Sequence, residues 1–289
     1  MIKFAITIIL LTNFIVIIMK KTMLLVAMAL LSAGHITAQV KSADDLGVFN
    51  HVGVGVGVGT PGVTLEVAAP LTPYVAVRGG VDIFPTIKAK TDLDIEVNGS
   101  QIPSEDQQRI PPSIKVEGKP SMTTGHLLFD VFPFKKSAFH LTVGAYFGGS
   151  KIVSVRNAEE GSLRVVNEIN QKLIQQGIAN PTTHENMVGV DLGDFFLTPD
   201  DRGNVDATLR VAAFRPYVGL GFGRPVPAKH RFAFNFNLGV QMWGEPKVWL
   251  RDNELSKTTT NSDAGAVLEV LSKVTVYPVM TFKLVGRIL

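Results

Sequence analysis

The chain has 289 residues, no cysteine, 27 glycines and a formal net charge of +3. Its first 38 residues contain three lysines and no acidic residue, so the remainder carries 25 basic and 25 acidic side chains. A neutral chain gives no electrostatic support for nucleic-acid binding, and the absence of cysteine excludes a disulfide framework.

The N-terminal segment has the composition of an export signal. Two apolar runs, 1–18 and 23–31, flank a lysine pair, and small residues follow the second run. A positive segment, a short apolar segment and small residues before the cleavage point are typical of a signal peptide. We therefore expect residues 1–38 to be an export signal with its translation start at Met19, and residues 39–289 to form the folded domain. The alternative is that the first apolar run is a membrane anchor helix.

The first predicted strand is a strict repeat of valine and glycine from His51 to Gly59. Successive side chains of a strand point to opposite faces, so one face is a row of valines and the other carries no side chains. Glycine inside a strand marks a close approach of neighbouring groups or a sharp bend. The repeat predicts a strand of a small closed barrel, with valines facing an apolar surround and glycines facing the interior.

Seven further segments repeat the alternation of apolar and polar or small residues: 63–69, 75–83, 126–131, 139–147, 214–222, 232–242 and 274–288. Several are about ten residues long, the length that a tilted strand needs to cross a bilayer.

The connections between these segments differ by side. The turns at 70–73, 134–137 and 225–230 are short, whereas the links at 85–124, 149–206 and 244–272 are long. This asymmetry is typical of a transmembrane barrel. We predict an all-β chain: an eight-stranded antiparallel transmembrane β-barrel with short periplasmic turns and long extracellular loops.

The alternating strands, the segment 215–223 and the closing strand 280–289 resemble small eight-stranded outer-membrane β-barrels of the broad OmpA/OmpW-like type. The resemblance implies a porin-like protein of a Gram-negative cell envelope, inserted by the barrel-assembly machinery. Members of this group usually end on an aromatic residue, whereas this chain ends on the aliphatic Leu289. Likeness to OmpW-like barrels implies passage of small apolar solutes.

The faces that point into the predicted barrel carry six charged side chains: Glu66, Arg78, Asp82, Asp130, Arg215 and Lys283. A turn centred on Thr72 would place Glu66 directly opposite Arg78. Asp130 and Lys283 are expected at a similar depth, and Asp82 and Arg215 nearer the outer half. Unpaired buried charges are costly, so we expect these side chains to pair as a plug across the lumen. A gated narrow path is the alternative.

Three histidines, His51, His126 and His140, also face the predicted interior. A metal site needs three or four convergent ligands, and the sequence does not supply them, so we predict no metal, no cofactor and no catalytic residue. A lipid-modifying enzyme would need a hydroxyl nucleophile beside such a histidine. No serine lies near His126 or His140 on these strands.

The long links carry two patterns of their own. Residues 88–97 alternate in polarity and predict a strand that continues above the membrane, ended by a hairpin turn at Asn98-Gly99. Residues 162–176 have apolar side chains at helical spacing and predict a helix that ends at Gly177.

Aromatic residues stand at both ends of the strands and are expected at the two membrane interfaces. They are Trp243 and Trp249 at the outer end, and Phe132, Phe134, Phe139, Phe222 and Phe232 at the inner end.

These patterns predict a monomeric, non-enzymatic protein of the cell outer membrane, in contact with outer-membrane lipid. It would act as a scaffold, or as a narrow conduit for a small apolar solute, with surface-exposed loops and no nucleic-acid partner. Two alternatives remain open: an outer-membrane lipid-modifying barrel enzyme, and a soluble periplasmic lipocalin-like binder.

Overall fold

The structure is a computed structural model that describes residue 49 and residues 51–85, 87–135, 137–191, 195–228, 230–255 and 275–288. The predicted signal segment 1–38 and the terminal Leu289 lie outside the described residues.

The described strands are β1 (Gly53–Gly59), β2 (Gly62–Thr72), β3 (Val75–Ile83), β4 (Ala89–Asn98), β5 (Ser113–Pro120), β6 (Thr123–Val131), β7 (Phe139–Gly148), β8 (Lys151–Asn157), β9 (Met187–Asp191), β10 (Phe196–Leu197), β11 (Asp206–Arg210), β12 (Phe214–Phe222), β13 (Phe232–Met242), β14 (Lys247–Leu250), β15 (Asn253–Glu254) and β16 (Val276–Arg287). The described helices are α1 (Ser104–Gln107) and α2 (Arg164–Gln175). No helix in the described part of the chain is long and apolar enough to cross a membrane.

Eight strands form a closed barrel in the order β1-β16-β13-β12-β7-β6-β3-β2. Every neighbouring pair is antiparallel, including β1 with β16, which closes the barrel from Gly53↔Arg287 to Gly59↔Thr281. All eight alternating segments of the sequence lie in this barrel, so the predicted fold is confirmed.

The valine and glycine faces of β1 are oriented as predicted. Val54 and Val56 are exposed on the outside, whereas Gly53, Gly55 and Gly57 are buried. Among the described residues, every exposed large apolar side chain lies on a barrel strand or in a segment flanking one. This apolar belt is the surface that a bilayer covers, and a soluble lipocalin-like protein would not expose it.

The long connections fold into a second sheet of eight strands, ordered β10-β9-β4-β5-β8-β11-β14-β15. Its central strands β4, β5, β8, β11 and β14 follow the same order as the barrel strands β3, β6, β7, β12 and β13, to which short links join them. The second sheet is therefore an extension of five neighbouring barrel strands beyond the outer rim, and we call it the extracellular sheet.

Helix α2 packs against this sheet and fills its concave side. Its buried residues Val166, Ile169 and Leu173 recur at helical spacing, as predicted, and the helix is followed by Gly177 at φ +70°. A positive φ of this kind favours glycine after a helix end. The same apolar core includes Leu93 of β4 and Leu250 of β14, so the sheet curls around the helix.

The predicted turn at Asn98-Gly99 does not form a tight hairpin. Strand β4 begins at Ala89, close to the predicted start, but it pairs with β5 on one side and β9 on the other. After Gly99 the chain enters a longer loop that contains α1. The dipeptide marks the end of β4, but the next strand of the hairpin, β5, begins only at Ser113.

Candidate functional site: the packed barrel lumen

A chain of ion pairs crosses the barrel lumen from β16 to β6. Lys283 Nζ lies 2.7 Å from Glu66 Oε1 and 2.8 Å from Glu66 Oε2. Glu66 Oε2 in turn lies 3.3 Å from Arg78 Nη1, and Arg78 Nε lies 3.0 Å from Asp130 Oδ2. All four side chains are at most 3% exposed. Oppositely charged groups therefore alternate across the interior, which lowers the cost of burying each one.

Arg78 lies at the centre of this chain because its guanidinium has donors on several sides. Its Nη2 donates to Asn237 Oδ1 at 2.9 Å and reaches Thr142 Oγ1 at 3.5 Å. Thr142 donates to Asp130 Oδ1 at 2.7 Å. The guanidinium thereby connects strands β2, β3, β6, β7 and β13.

His126 links Asp82 to the same cluster. Its Nδ1 lies 2.7 Å from Asp82 Oδ2, and its Nε2 lies 3.5 Å from Glu66 Oε2. Asp82 also accepts a hydrogen bond from Thr64 at 2.5 Å. We call the set Glu66, Arg78, Asp82, His126, Asp130 and Lys283 the lumen network.

The structure therefore brings together five of the six charged residues predicted to face the lumen. The sixth, Arg215, lies apart from them. It is fully buried and donates to two backbone carbonyls, Ala212 O at 2.7 Å and Gly149 O at 2.6 Å. These carbonyls belong to the links between the barrel and the extracellular sheet, so Arg215 ties the outer rim together.

The predicted pairing of Glu66 directly opposite Arg78 is wrong by two residues. Arg78 lies opposite Ala68, and Glu66 lies opposite Gly80. The pair nearest the turn is Thr72↔Val75, so the turn lies at Pro73-Tyr74 and is not centred on Thr72. One extra residue of β2 between Pro70 and Thr72 then sets the register of the remaining pairs. The two charged side chains still meet because they are long enough to span the diagonal.

His140 occupies the inner part of the lumen. Its Nε2 lies 3.0 Å from Asn237 Oδ1, its Nδ1 lies 3.2 Å from Ala138 O, and its ring centroid lies 5.2 Å from that of Phe132. In the part of the chain that the structure describes, no three His, Asp or Glu side chains are grouped so that they could hold a metal ion.

The periplasmic end of the lumen is filled by the turn between β12 and β13. Val226 is 2% exposed and packs against Ala68. The Arg224 guanidinium lies 4.1 Å above the ring of Phe132. It also donates to Pro73 O at 3.2 Å and to Lys135 O at 2.7 Å.

Arg224 therefore connects its own turn to the other two periplasmic turns. Burial lowers the pKa of the Arg224 guanidinium, but an arginine stays charged at neutral pH. We call Phe132, Arg224 and Val226 the periplasmic plug.

The prediction that Phe132 lies at the membrane interface is wrong, since its side chain is 1% exposed inside the barrel end. Phe134, Phe222 and Phe232 are exposed, as a membrane interface requires.

An aromatic layer packs against the lumen network within the barrel. Leu128 lies between His126 and Asp130 on β6, and the Tyr146 ring lies 5.3 Å from the His126 ring. Tyr146 and Tyr217 contact each other edge to face with ring centroids 5.4 Å apart, and Leu128 and Val279 complete the layer. The Tyr217 ring lies where Gly219 and Gly239 have no side chains. The strand alternation placed these residues inward, but it gave no distances between them.

These features define a small eight-stranded outer-membrane β-barrel protein with a packed lumen, located in the outer membrane. No protein-family model and no curated protein matches the sequence. Among solved structures, the chain is similar to CarO2 of Acinetobacter baumannii, with 15% identity, a TM-score of 0.41 and coverage of 82% of this chain and 98% of that one. It is also similar to CarO of Acinetobacter baumannii, with 15% identity, a TM-score of 0.40 and coverage of 81% and 96%.

Proposed function

We propose that the protein is a non-enzymatic scaffold, in which a closed barrel holds the extracellular sheet at the cell surface. The observation that carries this proposal is the lumen network, which packs against the aromatic layer inside a barrel whose periplasmic end holds the plug. In eight-stranded barrels the interior is just wide enough for side chains to fill it. Here the side chains of the lumen network, the aromatic layer and the periplasmic plug contact one another inside the barrel.

Free diffusion through this lumen would require the ion pairs to separate. Arg78 contacts both Glu66 and Asp130 while almost fully buried, so moving its side chain would leave two carboxylates without that partner. Uncompensated buried charges cost several kcal/mol each. A closed scaffold agrees better with this arrangement than a conduit does.

The positions of the lumen histidines support a non-enzymatic role. Hydrolysis by a serine or threonine nucleophile requires a base within hydrogen-bond reach of the hydroxyl. The outer nitrogen of His126 is directed at Glu66, and that of His140 at Asn237. Neither nitrogen is directed at a hydroxyl group among the described residues.

Planar-bilayer recording tests the proposal directly. The purified wild-type barrel should show no discrete conductance steps, and proteoliposomes should take up a small apolar dye no faster than empty liposomes. An Arg224→Ala/Val226→Gly variant serves as the comparison, because it removes two of the three side chains of the periplasmic plug and keeps the lumen network. Wild-type conductance steps or dye uptake above the empty-liposome rate would overturn the scaffold proposal in favour of a conduit.

Mass spectrometry of the envelope lipids tests the enzyme alternative. Cells with and without the protein should have identical lipid patterns if the barrel has no lipid-modifying activity. A new or missing acyl or headgroup modification that depends on His126 would contradict the non-enzymatic proposal.

A further inference from the structure

A cleft of about 380 Å³ opens at the junction of the barrel and the extracellular sheet. Its walls include Arg210, Trp243, Lys247 and Trp249. On β14, Val248 and Leu250 point into the core of the sheet. Since side chains alternate along a strand, Lys247 and Trp249 point to the opposite, outer face. The cleft therefore faces the surroundings of the protein and not the lumen.

The cleft is continuous with the apolar belt of the barrel. Arg210 ends β11, and Phe214 begins β12 four residues later. Phe214 is 63% exposed on the lipid-facing side. At about 3.3 Å per residue, Arg210 lies at most about 13 Å along the chain from this lipid contact. Trp243 points to the face opposite the exposed Met242 and stacks on Tyr277, with ring centroids 4.7 Å apart. The cleft therefore begins directly beyond the exposed Met242 that ends β13. This position corresponds to the headgroup region of the outer leaflet.

The guanidinium of Arg210 is held in a fixed orientation in this cleft. Its central carbon lies 4.3 Å above the Trp249 ring. Its Nε donates to Thr208 Oγ1 at 3.3 Å, and its Nη2 donates to Arg251 O at 3.3 Å. Within the described part of the chain, Nη1 makes no hydrogen bond that would occupy it. A pre-oriented guanidinium with a free edge suits the oxygen atoms of a phosphate.

The present partners of the two cations are exposed and easily exchanged. Lys247 Nζ lies 2.9 Å from Glu254, but both side chains are about half exposed. Arg210 lies 4.0 Å from Asp252, which is fully exposed. Ion pairs of this kind contribute at most about 1 kcal/mol. The cleft itself is lined by these two cations and one acid, Glu245, so its own charge favours an anionic group.

We propose that Arg210, Trp249 and Lys247 form a headgroup cleft that binds the phosphate of a phosphorylated glycolipid in the outer leaflet. The acyl chains of this lipid lie along the apolar belt below Phe214 and Met242. Trp249 packs against the sugar to which the phosphate is attached. The binding goes beyond the scaffold role and does not depend on whether the lumen conducts.

The two tryptophans of the chain are Trp243 and Trp249, so tryptophan fluorescence reports only on this cleft. The full chain in uncharged detergent micelles is titrated with a bisphosphorylated glycolipid, with the same lipid after enzymatic dephosphorylation, and with inorganic phosphate. The phosphorylated lipid should give a saturable change in emission. The dephosphorylated lipid should bind at least about tenfold more weakly, because it lacks the charge-assisted hydrogen bonds.

Two matched variants locate the site. Arg210→Gln/Lys247→Gln should weaken binding of the phosphorylated lipid at least about tenfold, and Lys247→Gln alone should weaken it by a smaller factor. Lys88→Gln/Arg156→Gln removes the same charge and two exposed ion pairs elsewhere on the sheet, and should leave the affinity unchanged. The heat-modifiable gel shift verifies that each variant is folded.

Three results would overturn the headgroup cleft. The first is equal affinity of the Arg210→Gln/Lys247→Gln variant and the wild type for the phosphorylated lipid. The second is equal affinity of the phosphorylated and dephosphorylated lipids. The third is a response to inorganic phosphate without any response to the lipid, which would indicate a site for free anions. None of these results bears on bilayer conductance. The headgroup cleft can therefore fail while the scaffold proposal stands, and the reverse.

Discussion

The barrel and the extracellular sheet have opposite polarity although short links join five strands of one to five strands of the other. In the barrel the interior is charged and the exterior is apolar, whereas the extracellular sheet encloses an apolar core around α2. The segment β11–β12 shows the reversal directly. Ala207 and Val211 point inward to apolar neighbours, whereas Arg215 of β12 is buried within the barrel rim and donates to two backbone carbonyls.

The reversal shows that the surrounding medium, and not the strand itself, determines which face is apolar. A strand keeps its two-residue alternation across the rim. Outside the membrane, apolar groups are removed from water into the core. Inside it, lipid covers the apolar face and the polar groups have to satisfy one another in the lumen. The two regions should therefore respond in opposite ways to equivalent substitutions.

The largest expected effect comes from adding a side chain to the bare face of β1. In Gly57→Val, the new Cβ would overlap Lys283 Cγ and the Phe282 carbonyl. Because this contact lies where β1 and β16 close the barrel, the strands cannot pair without moving. Refolding into detergent, followed by the heat-modifiable gel shift, should yield almost no folded barrel.

The matched control for that substitution is Val56→Leu on the lipid-facing side, where the side chain is half exposed. Its refolding yield should stay close to that of the wild type. If Val56→Leu impaired refolding more than Gly57→Val, the inner and outer faces of the barrel would be assigned the wrong way round.

The next largest effect is expected for a charge in the lumen network. Glu66→Gln leaves Lys283 buried with only a neutral amide in place of its carboxylate partner, and should lower the free energy of unfolding by about 3–5 kcal/mol. Glu117→Gln, which breaks the exposed pair with Lys88 on the extracellular sheet, should cost less than about 1 kcal/mol. Urea unfolding in lipid vesicles measures the free energy of unfolding of both variants. Equal losses in the two variants would contradict the difference in polarity between the barrel interior and the extracellular sheet.

A substitution in the core of the extracellular sheet should affect that region alone. Leu173→Ala removes a fully buried side chain of α2 and should cost about 2–4 kcal/mol. Protease added from the outside should then cut within the extracellular sheet while the gel shift of the barrel persists. Gln171→Ala, exposed on the same helix, should remain resistant to protease. Loss of the barrel gel shift in Leu173→Ala would show that the two regions unfold as one unit.

The sequence predicted the barrel well because the alternation of Val54, Gly55 and Val56 is a local signal repeated in eight segments. It could not predict the register of β2 and β3, because the alternation reveals neither the position of the turn at Pro73-Tyr74 nor the irregularity between Pro70 and Thr72. The five acidic and basic residues of the lumen network were all identified as inward facing. Their contacts depend on side-chain length and barrel closure, which the pattern of one strand does not contain.

The extracellular sheet was missed for a different reason. Its pairings join distant parts of the chain, such as Ile95 of β4 with Val190 of β9, and its strands are short and interrupted. Only α2 and β4 had a periodic pattern long enough to recognise. Phe132 of the periplasmic plug, by contrast, continues the inward positions of Leu128 and Asp130 by one step. Extending the alternation of β6 by one residue beyond Val131 would have placed Phe132 inside the barrel.

The smallest effect is expected at the periplasmic plug, which lies at the end of the barrel farthest from the extracellular sheet. Arg224→Ala removes two hydrogen bonds to backbone carbonyls and a contact with Phe132. Because the guanidinium is only half-buried, the expected loss is about 1–2 kcal/mol. Amide hydrogen exchange should speed up in all three periplasmic turns and stay unchanged in the extracellular sheet. Arg231→Ala, an exposed residue of the same connection, should leave all three turns protected. If exchange in Arg224→Ala increased only in its own turn, the guanidinium would not be what holds the turns at Pro73 and Lys135 in place.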